Sequence, residues 1–231
     1  MARDIEAEIL HQLQAVEAQR QLRVDEAGLE ARVQALKLYQ QRRFSQTYAD
    51  LLLSPRYEAA TTFFLQELYG PGDFSRRDAQ FARVVPALVR IFPSEVVATV
   101  AQLAALHAIS EDLDTRMAQA LGLEPVQAKS YQAAWCACGE PGLRQQQIDL
   151  TLAVGVSLDK LTRKPLLRQA LRMMRGPATA ASLSELQGFL ERGFDTFKAM
   201  RGADEFLETV RSREEFLASA LFARKGLAEL P

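Results

Sequence analysis

Apolar residues recur along this chain at every third or fourth position, and no stretch sustains the period-two alternation of a strand. The pattern predicts helices throughout and no sheet. Residues 4–22 carry Ile5, Ile9, Leu13 and Val16 at spacings of four, four and three, one apolar stripe of an amphipathic helix. After Asp25 and Gly28 the stripe resumes through Leu29, Val33, Leu36, Tyr39, Phe44, Tyr48 and Leu51, and Ser54-Pro55 breaks it. These segments predict a helical hairpin or one long bent helix, suited either to covering the core or to pairing with a second copy.

The segment from Phe63 to Tyr69 is the densest aromatic run, and it predicts a helix from about Tyr57 that Gly70 caps and Pro71 ends. At about 100° per residue, Phe64, Leu65, Leu68 and Tyr69 share one arc and Phe63 lies opposite, so partners are expected on two sides. Glu67 projects between Phe63 and Phe64. It is either a partly buried carboxylate that needs a cationic partner or a side chain that reaches the surface. Ser75 reads as the N-cap of a helix to Phe92, in which Pro86 is expected to leave a kink or a short break. Pro93-Ser94-Glu95 opens the longest pattern, Val96 to Met117, which stops near Gly122 and predicts the central helix. Further helices are expected from Pro125 to Cys138, Leu143 to Leu161, Pro165 to Gly176-Pro177, Ser182 to Met200 and Ala203 to Phe222.

The expected fold is therefore all-α: a single-domain multi-helix bundle of about nine to ten helices, with an N-terminal hairpin at 1–53 and a helical core at 54–231. Composition agrees, with 48% hydrophobic and 25% charged residues, and no apolar run approaches the ~20 residues of a membrane span. With 28 Lys plus Arg against 29 Asp plus Glu, there is no basic excess to favour general nucleic-acid binding. Cys136 and Cys138 point about 200° apart on a helix and lack nearby His ligands, so buried thiols are expected rather than a disulfide or a zinc site. An acid-containing amphipathic N-terminus does not read as a secretory signal, and a cytoplasmic location is expected.

Phe63-Phe64-Leu65-Gln66-Glu67-Leu68-Tyr69-Gly70-Pro71, followed by Asp73-Phe74-Ser75-Arg76-Arg77-Asp78, resembles the bacterial proteins named for an FFLEELY motif. Gln66 stands where that motif has its first glutamate, so a charge at position 66 is dispensable. The resemblance extends into Arg172-Met173-Met174-Arg175-Gly176-Pro177 and Phe189-Leu190-Glu191-Arg192-Gly193-Phe194. It implies a bacterial all-helical protein and brings no activity or catalytic residue with it.

Three constellations are candidates for a site. On the central helix His107, Ser110, Glu111 and Asp114 lie on adjacent rows, with His107 and Glu111 one turn apart. A carboxylate beside an imidazole can tune a proton acceptor, and a border histidine bonded within its own helix is the plain alternative. A di-iron site would need a second Glu-x-x-His motif beside Glu8-Ile9-Leu10-His11, and none occurs. On the helix from Pro165, Arg168, Arg172 and Arg175 form one stripe, with Arg163 and Lys164 at its start, and no acid occurs from Lys160 to Arg175. This stripe suits a phosphate, an anionic membrane or an acidic partner, unless the C-terminal acids Glu185, Glu191, Asp195, Asp204, Glu205 and Glu208 satisfy it internally. Phe189, Phe194, Phe197, Phe206, Phe216 and Phe222 with Met200 can line an apolar pocket or simply pack the core. Gly188 and Gly193 suggest close helix approach, since each lowers helix propensity by about 1 kcal/mol.

No phosphate-binding loop or nucleophile elbow occurs. The favoured expectation is a non-enzymatic protein that binds a protein partner or itself through the hairpin and the arginine face. The alternative is a bundle that holds an apolar small molecule or cofactor between its helices, with Glu67, His107 and the phenylalanines near the cavity. A third reading attaches the basic helix 165–175 to anionic membranes. No metal, specific cofactor or transmembrane segment is expected.

Overall fold

The two N-terminal stripes form α1 (Ala2–Asp25) and α2 (Leu29–Thr47), and the chain reverses between them where Gly28 adopts φ 76°, a conformation that favours glycine. The computed structural model describes residues 2–68, 72, 74–225, 228, 230 and 231, and among these all regular structure is helical. After α3 (Ala49–Leu52) and α4 (Glu58–Phe63), the helix widens into a π turn over Phe64–Leu68. There follow α5 (Ser75–Ile91), α6 (Ser94–Leu121), α7 (Ala128–Cys138) and α8 (Pro141–Thr162). The chain then continues through α9 (Pro165–Met173), α10 (Arg175–Ala180), α11 (Ser184–Ala199) and α12 (Asp204–Phe222). The molecule is an all-α multi-helix bundle.

α6 is the axis, packed by α1, α2, α7 and α8, while α11 and α12 form a second layer over α8. Its length and composition would also allow it to cross a membrane, although half of the relevant window is buried within the bundle. Three buried clusters result. Ile9 and Leu13 of α1 meet Val85 of α5 and Val97, Val100 and Ala104 of α6. Leu29, Val33 and Leu36 of α2 meet Met117, Tyr131 and Trp135. Phe44, Phe63 and Phe64 meet Ile148, Phe189, Phe197 and Phe206.

The aromatic segment packs on two helices. Phe63 stacks on Phe189 of α11 at 5.6 Å, whereas Phe64 meets both Phe197 of α11 and Phe206 of α12. The expected cap at Tyr69, Gly70 and Pro71 lies outside the described residues.

Three local expectations change. Of the two outcomes expected at Pro86, the short break does not occur: α5 runs through it, with Val85, Phe81 and Leu88 packed with α1 and α6 on both sides of the missing hydrogen bond. Ser75 is the first helical residue and Phe74, whose ring cannot accept a cap hydrogen bond, occupies the cap position. Gly176-Pro177 does not end the helical region: both fall in the first turn of α10, where backbone N–H groups have no intrahelical acceptor and proline is tolerated.

A Cβ at Gly193 would lie 3.1 Å from the Phe63 ring, so this glycine does mark a close approach. Gly188 faces only Arg192 of its own helix. The tightest contact is instead at Gly155 of α8, where a Cβ would overlap Leu207 of α12.

Candidate functional site

Where the three clusters meet, the interior is not filled: a cavity of about 140 Å³ runs alongside α6. Phe44, Phe64, Phe81, Leu103, Phe189 and Val210 supply its apolar wall. The polar wall begins with His107, Ser110, Glu111 and Asp114, whose spacing along α6 sets them on neighbouring rows that face inward. Lys37, Gln40 and Arg43 reach it from α2, and Arg144 and Gln147 from α8.

The pairings on this wall differ from those suggested by proximity along the helix. His107 does not bond Glu111. Its Nε2 lies 2.8 Å from Oδ2 of Asp78 on α5, and Arg20 donates to the same carboxylate oxygen. Burial pushes the Asp78 carboxyl up, but its bonds to His107 and Arg20 outweigh that and hold it below the ordinary range. An imidazole held by an ionised carboxylate in a cavity wall is suited to hydrogen-bond a guest molecule or to exchange a proton with it.

Glu111 instead lies between two cations. Its carboxylate accepts hydrogen bonds from Arg23 Nη1 and Lys37 Nζ, both at 2.6 Å, and Arg23 also donates to Thr115 Oγ1 at 2.9 Å and to the Glu111 carbonyl at 2.8 Å. Desolvation opposes ionisation here, yet Lys37 and Arg23 dominate and lower the Glu111 pKa to about 2. Asp114 is different: burial pushes its carboxyl up, and Gln40 donates to it at 2.9 Å. Ser110 Oγ accepts from Gln147 Nε2 at 2.8 Å.

Arg144 is only 6% exposed. Its Nη1 donates to Gln147 Oε1 at 3.0 Å and its Nη2 to the thioether of Met117, while the guanidinium lies over Trp135 at 3.9 Å from the ring centre. Burial pushes its pKa down. Among the described residues it has no carboxylate at ion-pair distance.

Glu67 does not line the cavity. It is half-buried and accepts from Arg192 Nε at 2.8 Å, with Arg77 Nη1 3.8 Å away. Arg77 links the two regions: it donates to the Glu67 carbonyl at 3.1 Å, lies between the Phe74 and Phe189 rings, and lines the cavity beside Asp78. Glu67 and His107 therefore belong to adjoining networks and do not share one chamber.

The arginine stripe meets internal acids. Arg168 bonds Asp195 at 2.5 Å and approaches Glu191 at 3.5 Å, and Arg175 also pairs with Glu191. Arg163 pairs with Asp159 and Lys164 with Glu95. Arg172 alone of the five has no ion-pair partner among the described residues. Of the C-terminal phenylalanines, Phe189 lines the cavity, Phe197 and Phe206 are sealed in the core, and Phe216 is exposed. Cys136 and Cys138 are half-buried free thiols.

Asp78, Arg77, Arg144 and Gln147 are wall residues that sequence patterning passed over. Asp78 carried the signal of a first-turn acid, and both Arg77 and Asp78 lie in the stretch that carries the family resemblance. Arg144 carried a faint one, as the only cation between Lys129 and Lys160.

Fold and site together define an all-helical bundle protein with an internal amphipathic cavity. A family model described as a domain of unknown function (DUF8198) matches residues 19–227, and the chain belongs to that family. No curated protein and no solved structure gives a significant match. The chemistry of the site therefore has to be read from its own residues.

Proposed function

We propose that this protein binds a small molecule inside the bundle, in the cavity beside α6. The observation that carries this reading is the cavity itself, with aromatic side chains on one wall and hydrogen-bonding groups converging from α2, α5, α6 and α8 on the other. A void of about 140 Å³ has room for a ring-sized molecule in place of the water that its polar wall would otherwise hold. The apolar stripe of the hairpin supports the same reading from another side. Ile9, Val16, Leu29, Val33 and Leu36 are fully buried within this chain, so that face is not free for a second copy.

Native mass spectrometry of the full chain, purified without denaturant from cells that produce it, tests the proposal. A bound small mass is expected on the wild type. It should be absent from Ala104→Phe, which places a ring in the cavity wall at a buried alanine. Bare protein mass for both forms would refute the reading.

A further inference from the structure

The charges around the cavity do not balance. Arg20, Arg23, Lys37, Arg43, Arg77 and Arg144 meet in and behind its walls, and the acids that face them are Asp78, Glu111, Asp114 and Glu214. Glu111 is shared by two cations and Asp78 by Arg20, Arg77 and His107, while Arg43 has Glu214. Arg77 also lies near Glu67, which Arg192 already engages. Asp114 is within electrostatic reach of Arg144, but it accepts from Gln40 and does not come to ion-pair distance of the guanidinium. That leaves Arg144 as a buried guanidinium whose acceptors are one amide oxygen and one thioether, a weak acceptor. Donors are in surplus elsewhere in the wall too: Trp135 Nε1 and Arg43 Nε are buried with no acceptor among the described residues.

A buried arginine cannot shed its proton, so its charge calls for an anion. The planar guanidinium fork matches a carboxylate with two parallel hydrogen bonds. The neighbouring wall is apolar. Ile148 lies one turn beyond Arg144 on α8, in the same cluster as Phe44, Phe64 and Val210. The space is close to the ~150 Å³ of an apolar cavity that accepts one benzene ring.

We infer that the guest is a small monocarboxylate, one ring or its aliphatic equivalent in size, whose carboxylate sits on Arg144 and whose apolar body lies against Ile148, Phe44 and Val210. This rests on the cavity being a ligand site. It adds the charge and size class of the ligand.

The test is calorimetric titration of the full-length protein with benzoate and with benzamide, an uncharged molecule of nearly the same shape. Benzoate is expected to bind at least ~10-fold more tightly, the scale of a charge-assisted bidentate hydrogen bond in a buried site. In Arg144→Met the preference should fall to about onefold, while benzamide affinity changes little. Arg144→Lys keeps the charge without the fork and should retain only part of the preference. The wild-type ratio reads the charge requirement even if either variant fails to fold.

Equal binding of benzoate and benzamide to the wild type would overturn the carboxylate assignment and leave the cavity standing as a ligand site. A preference that survives in folded Arg144→Met would overturn Arg144 as the anchor. Binding of neither compound, together with a bare mass in the native spectrum, would overturn both the inference and the reading on which it rests.

Discussion

Replacing Glu111 by glutamine removes one negative charge from between Arg23 and Lys37 and leaves both cations inside the bundle. Arg23 is 4% exposed and Glu111 6%, so water cannot replace the lost partner for Arg23, although the longer-reaching Lys37 can partly turn outward. Two routes give the size of the effect. The fall of the Glu111 pKa from an ordinary 4.5 to about 2 corresponds to about 3 kcal/mol, at ~1.36 kcal/mol for each tenfold in proton affinity. Removing one partner of a buried ion pair typically costs about 3–5 kcal/mol, a large share of the ~5–15 kcal/mol that holds a domain folded.

The same residue fixes a pH signature. Because its folded pKa is depressed, its contribution is present above pH 4.5 and is lost as the pH falls toward about 2. Urea unfolding followed by Trp135 fluorescence, at constant ionic strength across that range, measures both effects. Glu111→Gln should be about 3 kcal/mol less stable than wild type at neutral pH, and the gap should close in acid. A loss under about 1 kcal/mol at neutral pH, with parallel pH curves for the two proteins, would refute the reasoning. Replacing the whole triad, as Arg23→Met, Lys37→Met and Glu111→Leu, should bring stability back to near wild type, because the desolvation of all three charges disappears with their attraction.

Asp114→Asn should act in the opposite sense. The Asp114 pKa is raised by burial, so the wild type loses stability as the pH rises through it, and the variant should gain most at about pH 7 and least at about pH 3 in the same urea assay. Gly155→Ala should destabilise by about 1–2 kcal/mol despite a gain of ~1 kcal/mol in helix propensity, because the new methyl meets the buried Leu207 side chain. A double-mutant cycle checks this origin: Leu207→Ala should cost less in the Gly155→Ala background than alone, and additive losses would point elsewhere.

The helices themselves were legible because a 3.6-residue period needs only local information. The stripes from Ile5 to Leu51 and from Val96 to Met117 locate α1, α2 and α6 without reference to anything distant. Local signals failed where packing overrode them. Pro86 remains within α5 because both of its flanks are held by neighbouring helices, and α10 incorporates Gly176-Pro177 because the first turn tolerates a missing donor.

For the site, the sequence by itself determined which polar residues α6 would carry on one side: His107, Ser110, Glu111 and Asp114 follow from the helical period. Only the tertiary structure decided their partners. His107 meets Asp78 from α5, Glu111 meets Arg23 of α1 and Lys37 of α2, and Arg144 arrives from α8 with no carboxylate at ion-pair distance among the described residues. These pairs lie 29, 88 and 74 residues apart in the chain. The physical reason is that a helix's own period places its side chains, while the charge each one faces depends on which surfaces are driven together when apolar stripes leave water. The cavity has the same origin. It is the space that remains where three separately packed clusters meet around a polar row, a property of no single segment.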